Sequence, residues 1–339
     1  MGHVVRCLAL ADVLGEMYGW KVSFVMRTGP LGIKEVRERG YVVHSPDQES
    51  DKGDCCWLSS LVSGISGDVL VCDVRDDLQK EELQDIRKKG SLVVLLDDLT
   101  ERRLAGDMVF YPPIPQLDGL DWKEYTGRVF CGWEWIVLRR DLRNAMRTTV
   151  SHRPLLVVTM GACDPSGFTI KAVQALDYVQ QEVDVIVVLG PGFCHGRELS
   201  EQTAKVRRTI NVRTQVTNLP DLLVHADLVV GAFGTTAYEL AVLGVPGIFL
   251  CASADHAESA RAYMKAGFGI SLGLGSNVNE GALAKTIDQE ITRLAHRNLG
   301  NKGVQGEQVI DGFGAERVAE QIVRAIQERR KSHEAMAVS

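Results

Sequence analysis

The stretch LVVGAFGTTAYELAVLGVP, from Leu228 to Pro246, holds the residues of this chain best suited to chemistry. Gly231 and Gly234 follow an apolar run and provide for a tight turn. Thr235 and Thr236 stand where a helix is expected to begin, and Glu239 lies one turn further in. The first N–H groups of a helix have no partner within it and carry the positive end of its dipole, so such a terminus suits a phosphate. A carboxylate one turn on can accept hydrogen bonds from the two hydroxyls of a ribose. Gly244 and Pro246 then end the helix and lead into a further strand, Gly247 to Leu250. An ordinary strand-turn-helix would account for the glycines alone. The full spacing Gly-x-x-Gly-Thr-Thr-x-x-Glu-x-x-x-x-Gly-x-Pro is more demanding and predicts a nucleotide site.

A second candidate lies at the other end of the chain. Gly2-His3 followed by Val4, Cys7, Leu8, Ala11 and Leu14 predicts a helix with one apolar face and a histidine in its first turn. A neutral imidazole held there is a candidate general base, whereas a loose terminal histidine would do nothing. Asp76-Asp77 and Asp97-Asp98 offer paired carboxylates. Asp97-Asp98 ends a strand, however, where such pairs cap the next turn, and no metal site is expected. None of the eight cysteines forms a Cys-x-x-Cys pair. Cys7, Cys72 and Cys251 sit in apolar segments, and adjacent Cys55-Cys56 have poor geometry for an ordinary bridge. Reduced thiols of a cytoplasmic protein are the expectation.

These residues need a scaffold. Apolar runs at Val22 to Met26, Val69 to Cys72, Leu92 to Leu96, Leu155 to Met160, Val185 to Leu189, Leu228 to Val230 and Ile248 to Leu250 alternate with helical patterns. That alternation predicts an α/β chain with parallel sheets. The charged segment LRRDLRNAMRTTVSHR, Leu138 to Arg153, has no strand signal. The reading is therefore two doubly wound domains, residues 1–140 and 153–330. Ligands of such sheets bind outside the carboxyl ends of the strands, so two facing domains would place the site in the cleft between them. Loops at Gly161 to Pro165, Gly190 to Gly192 and Gly231 to Gly234 all fall in the second half, which is assigned to the nucleotide. Phe313 to Arg330 reads as helix, and Ser332 to Ser339 as a frayed tail. With 339 residues, 45% of them hydrophobic, there is core enough for two domains. The formal net charge of -6 argues against nucleic acid as a partner. No apolar run is long enough to span a membrane, and Met1 leads into an amphipathic helix with Arg6 and Asp12 rather than a signal peptide.

Gly2-His3-x-x-Arg6-Cys7-Leu8-Ala9-Leu10-Ala11 resembles the Gly-His-x-x-Arg-x-Leu-x-Leu-Ala signature of the nucleotide-sugar hydrolases of pseudaminic acid synthesis (PseG), grouped with spore-coat polysaccharide proteins of the SpsG type. Val93 to Leu99 is similar to that family's strand ending in Asp-Asp-Leu. Gly132 to Arg139 is similar to its Gly-Pro-x-Tyr-x-x-Leu-Arg segment, and Met160 to Pro165 to its glycine-Asp-Pro loop. Leu228 to Pro246 resembles the nucleotide half of the lipid-II-forming N-acetylglucosaminyltransferase (MurG). The resemblance implies a GT-B architecture, two Rossmann-like domains facing a cleft, with a UDP-sugar as substrate and neither metal nor cofactor. It implies that His3 is the general base activating water against the anomeric carbon as UDP leaves. It sets Gly2, Arg6 and Asp73 among the substrate contacts, gives the diphosphate to N–H groups around Gly161-Ala162 and Gly234-Thr235-Thr236, and gives the ribose to Glu239.

Three departures fall on positions that face the sugar in that family. Asp73-Val74-Arg75 stands for Asp-x-Tyr, Ala254-Asp255-His256-Ala257 for a segment with Asn-Gln, and Tyr111-Pro112-Pro113 for another of Asn-Gln type. His256 is either a replacement polar contact or a helix-cap residue. The reading is a hydrolase releasing UDP from a UDP-linked amino sugar on the way to a sialic-acid-like surface sugar. Its alternatives are a glycosyltransferase of the same fold, with an acceptor hydroxyl in place of water, and an inactive nucleotide-sugar-binding homologue. The sugar and the oligomeric state are left open. A doubly wound domain normally begins with a strand, so Gly2-His3 is expected to follow one and the natural polypeptide to begin upstream of Met1. Without that strand two sheet edges are expected to go unpaired.

Overall fold

In the computed structural model of the chain, residues 1–26, 29–45, 58, 67–74, 78–148, 152–214, 216–296 and 310–338 are described. Cys55, Cys56, Arg75, Asp76 and Asp77 lie outside the described residues. The chain forms two compact units, one built from residues 3–139 and 313–339, the other from residues 140–312.

The first unit opens with helix α1 (Gly2–Tyr18), which buries Leu8, Ala9, Leu10, Ala11, Val13 and Leu14. Gly19 ends it in the left-handed region, at φ 67°, and its N–H reaches the Gly15 carbonyl while that of Trp20 reaches Leu14. That closure satisfies carbonyls the last turn would leave bare. There follow β1 (Ser23–Val25), α2 (Pro30–Glu38), β2 (Val42–His44), β3 (Val69–Cys72), α3 (Lys80–Lys88), β4 (Leu92–Leu96), β5 (Met108–Tyr111) and β6 (Arg128–Cys131). Strands β3-β4-β5-β6 make one parallel sheet, and β1 pairs with β2 in a second. No ladder joins β1 to β3 among the described residues. Val25 of β1 packs instead on the apolar cluster formed by Cys72, Val93, Leu95 and Val109. All five residues of β4, LVVLL, are buried, as a parallel strand covered on both faces requires.

The second unit runs β7 (Leu155–Thr159), α4 (Phe168–Ala175), β8 (Asp184–Leu189), α5 (Gly196–Thr203), β9 (Ile210–Thr214), α6 (Leu219–Leu223), β10 (Leu228–Ala232), α7 (Thr235–Leu243), β11 (Gly247–Cys251), α8 (Ala254–Lys265), β12 (Ile270–Leu274) and α9 (Glu280–His296). Its six parallel strands lie in the order β12-β11-β10-β7-β8-β9. The order reverses between β7 and β10. At such a switch point the loops leaving the two strands diverge to opposite faces and open a crevice at the carboxyl edge. Gly231 lies within β10 rather than after it, and its role is close approach: a Cβ there would stand 3.0 Å from the Thr159 carbonyl of β7.

Helix α10 (Gly314–Val338) belongs to the first unit, not to the second as its place in the sequence suggested. Ala315, Val318, Ala319, Ile322, Ala325 and Ile326 recur at three- and four-residue spacing and pack with Leu10, Leu14, Leu92 and Val94. The expected frayed end is also helical, to Val338. Among the described residues no helix is long and apolar enough to cross a membrane. Ile322 is fully buried, so Ile322→Ala should cost about 2–5 kcal/mol in denaturant unfolding. Hydrogen exchange should show the lost protection in α1 and β4. Equal loss in β7 and β10 would contradict the assignment of α10 to the first unit.

Candidate functional site

In the first unit three side chains converge where α1 begins and β3 ends. His3, Arg6 and Cys7 are three and four residues apart and share one face of α1. That face meets Asp73, the residue after β3. His3 Nδ1 lies 2.6 Å from Asp73 Oδ1, and Arg6 grips the same carboxylate with both edges of its fork, Nη2 to Oδ1 at 2.6 Å and Nε to Oδ2 at 2.7 Å. The Cys7 thiol stands 3.8 Å from Oδ2. Asp73 was expected to touch substrate, but its side chain is 1% exposed and both oxygens are engaged by the protein. His3, 42% exposed, is the member that reaches solvent. Arg6 likewise serves Asp73, with 15% of its side chain exposed. Gly2 is the first residue of α1.

The electrostatics follow from this packing. Burial opposes charge on Asp73, yet Arg6 and His3 together hold its carboxyl down at about 2. Burial also opposes the Arg6 charge, but Asp73 and Asp97 more than offset it and keep the guanidinium protonated well beyond its ordinary range. Burial, with Asp73 adding to it, pushes the Cys7 thiol up, so Cys7 is no thiolate nucleophile.

Sequence reasoning missed Asp97. Cys72 is paired with Leu95, so β4 runs one residue past β3, and Asp73 and Asp97 leave the sheet along one edge. Asp98 does the capping expected of the pair, accepting from the Thr100 N–H at 2.9 Å. Asp97 instead adopts φ 55°, uncommon for a residue with a side chain, and brings Oδ2 to 3.5 Å from Arg6 Nη1. The Asp-Asp dipeptide was the available signal. Buried Arg102 pairs with Asp98 at 2.8 Å and donates to the carbonyls of Val74, the residue after Asp73, and Leu78.

In the second unit the crevice-forming loops carry the expected nucleotide residues. Gly231 is paired with Thr159, so Gly161 and Ala162 leave the sheet beside Phe233 and Gly234. Helix α7 starts after Gly234, which as a glycine brings no side chain to the N-cap position. Thr235 and Thr236 open it, and Glu239, 7% exposed, follows four and three residues on, along the same face. Helix α4 differs. Asp164 turns back to accept from the N–H groups of Phe168 at 2.9 Å and Thr169 at 2.8 Å, so a protein carboxylate already holds that anion position. What the loop offers a phosphate is the backbone at Gly161 and Ala162. Gly161, at φ 80°, is in the region that favours glycine, and a Cβ on Gly190 would run into the Gly161 and Ala162 carbonyls. His256 lies in the first turn of α8 at the end of β11. The cap there is Ser253, which accepts from the His256 N–H at 3.2 Å, so the His256 side chain is not the cap. Its Nδ1 is buried and has no hydrogen-bond partner among the described residues. No group of three or more His, Cys, Asp or Glu among the described residues is arranged to hold a metal ion.

Comparison with known proteins fits this framework. No family model matches the chain. Over 324 residues it is 25% identical to the spore coat polysaccharide biosynthesis protein SpsG of Bacillus subtilis, covering 94% of this chain and 92% of that protein. It is 23% identical over 278 residues, 78% of this chain, to MJ1062 of Methanocaldococcus jannaschii, a protein of which it spans 56%. Its fold superposes on that of Acinetobacter baumannii MurG with a TM-score of 0.64 at 15% identity, covering 95% of this chain and 96% of MurG. For Anabaena HepE in complex with UDP-glucose the TM-score is 0.63 at 14% identity, with 97% and 96% covered. The chain has the GT-B fold. Its two units are the two Rossmann-like domains of that fold.

Asp73 makes a pH prediction with a definite sign. Its folded pKa is depressed, so its contribution is fully present above the ordinary carboxylate pKa, about 3.9, and is lost as pH falls through about 2. The stability that the Asp73 carboxylate itself adds to wild type over Asp73→Asn should therefore be fully present at pH 5. It should shrink by about 2 kcal/mol on acidification below pH 4. A difference that stays constant to pH 2 would show that Asp73 is not held ionised by Arg6 and His3.

Proposed function

We propose that this chain binds a UDP-linked amino sugar and hydrolyses it at the anomeric carbon, releasing UDP. The observation that carries this reading is His3, a half-buried imidazole backed at Nδ1 by a buried carboxylate, at the carboxyl edge where α/β sheets hold ligands. Helix α7, which opens after Gly234 with Glu239 one turn in, offers the complementary chemistry for a nucleoside diphosphate. Likeness to SpsG over nearly the whole chain supports a part in surface-polysaccharide synthesis. HepE with UDP-glucose and Staphylococcus aureus MnaA with UDP, both of similar fold, support uridine nucleotides as ligands.

In this reaction His3 takes a proton from water, the water oxygen bonds to the anomeric carbon, and the bond from that carbon to the diphosphate breaks. The bonding pair leaves with UDP. N–H groups at Gly234, Thr235 and Thr236, with the Gly161-Ala162 backbone, disperse the charge that develops on the leaving group. Glu239 accepts from the ribose hydroxyls. A general base of this kind contributes about a hundredfold to ten-thousandfold in rate.

Purified protein incubated with a panel of UDP-linked amino sugars should release UDP and free sugar. UDP release that appears only when an acceptor sugar or lipid is added would replace hydrolysis by transfer, and binding without release would leave a nucleotide-sugar-binding protein. Glu239→Ala should weaken UDP binding more than about tenfold in calorimetry, since losing a charged partner of two hydroxyls costs roughly 1.5–3 kcal/mol. Unchanged affinity would remove Glu239 from the site. His3→Ala should abolish sugar release and leave UDP affinity within about twofold, because a base acts in the transition state. Turnover at the wild-type rate in that variant would sink the mechanism.

A further inference from the structure

We infer that Asp73, clamped by Arg6, is the positioning residue of His3. It fixes the imidazole as the tautomer that carries its proton on Nδ1 and presents the lone pair of Nε2 to the reacting water. The inference rests on the hydrolytic reading for its purpose, though not for its geometry.

The geometry begins with a contact of 2.6 Å between His3 Nδ1 and Asp73 Oδ1. An ionised carboxylate only accepts hydrogen bonds, so a contact this short requires a proton on the nitrogen. The opposite tautomer would set the Nδ1 lone pair against a carboxylate oxygen. Arg6 Nη2 also lies near Nδ1, at 3.3 Å, but it carries two protons and gives one to Asp73 Oδ1 at the shorter distance of 2.6 Å. Arg6 cannot donate to Nδ1 while Nδ1 donates to Asp73. With Asp73 1% exposed, water does not compete for its oxygens.

The clamp also explains why a charged group stands behind the base at all. Two parallel N–H···O bonds from Arg6 fix the plane of the carboxylate, and hence the direction from which Nδ1 is held. The donations of Arg102 to Val74 and Leu78 hold the backbone that carries Asp73. A ring held this way needs no rotation before it accepts a proton, which is what an effective base requires. Asp73 is then no substrate contact: it acts through His3.

The tautomer can be read directly. In full-length protein labelled with 15N-histidine, long-range proton–nitrogen correlation separates the two ring nitrogens, and the His3 signals are those lost in His3→Ala. At a pH where the ring is neutral, wild type should show a protonated Nδ1 and a bare Nε2. In Asp73→Asn the amide can turn its NH2 toward Nδ1, and the proton should move wholly or in part to Nε2. In the same variant kcat should fall about a hundredfold or more while UDP affinity stays within about twofold. A wild-type ring protonated on Nε2 overturns the inference and needs no variant, so it decides the matter even where Asp73→Asn does not fold. An Asp73→Asn protein with wild-type tautomer and wild-type kcat overturns it too. A protein with the expected tautomers but no release of sugar from any UDP-sugar would sink the hydrolytic reading and leave Asp73 as the group that orients His3.

Discussion

A carboxylate withdrawn from water must have its lone pairs met by donors, because an unpaired buried charge costs several kcal/mol. Asp73 meets that demand with Arg6 and His3, both on α1. The consequence reaches well beyond three side chains. The first two turns of α1 are tied to the carboxyl end of β3, the face of α1 is fixed in rotation, and His3 can point in only one way. Asp97 extends the arrangement to the end of β4, where a strained backbone brings a second carboxylate to the same guanidinium. Arg102 donates to the carbonyls of Val74, next to Asp73, and of Leu78. Buried ion pairs of this kind often add little net stability over apolar packing, which fits the orienting role inferred for Asp73.

The second unit solves a different problem with backbone. Its strand order places the loops after β7 and β10 side by side at the switch point, and the two helices that follow offer their positive ends there. One of these ends is closed by Asp164, and the other opens after a glycine, Gly234, that brings no side chain to the N-cap. On the reading proposed here the diphosphate sits at the start of α7 and Glu239, one turn in, accepts from the ribose.

Much of this was legible in the residues. Long apolar runs such as LVVLL of β4 and LLVVT of β7 are buried on both faces and advertise parallel strands without ambiguity. Strands that escaped notice are short or polar. INVRT of β9 is exposed along nearly its whole length, RVFC of β6 forms a sheet edge, and ISLGL of β12 is broken by Gly273 at φ 76°. The return of α10 to the first unit could not be read from periodicity, which tells which face of a helix is apolar but not what covers it. At the site, the Gly-Thr-Thr-x-x-Glu spacing gave away α7. The pairing of Asp73 with Arg6 did not show, because residues 67 positions apart meet only through the sheet. Glycines were overread as turn formers: Gly231 is required by the closeness of Thr159, and Gly234 is extended.

The decisive measurement follows the oxygen atom. UDP-linked amino sugar and enzyme are mixed in water labelled with heavy oxygen, and the mass of each product is read. Attack of water on the anomeric carbon puts the label in the free sugar and none in UDP, and this is the predicted result. Label in UDP would mean attack at phosphorus, and sugar unreleased from every UDP-sugar offered would mean that His3 activates no water here. Either outcome would contradict the hydrolysis proposed for the site.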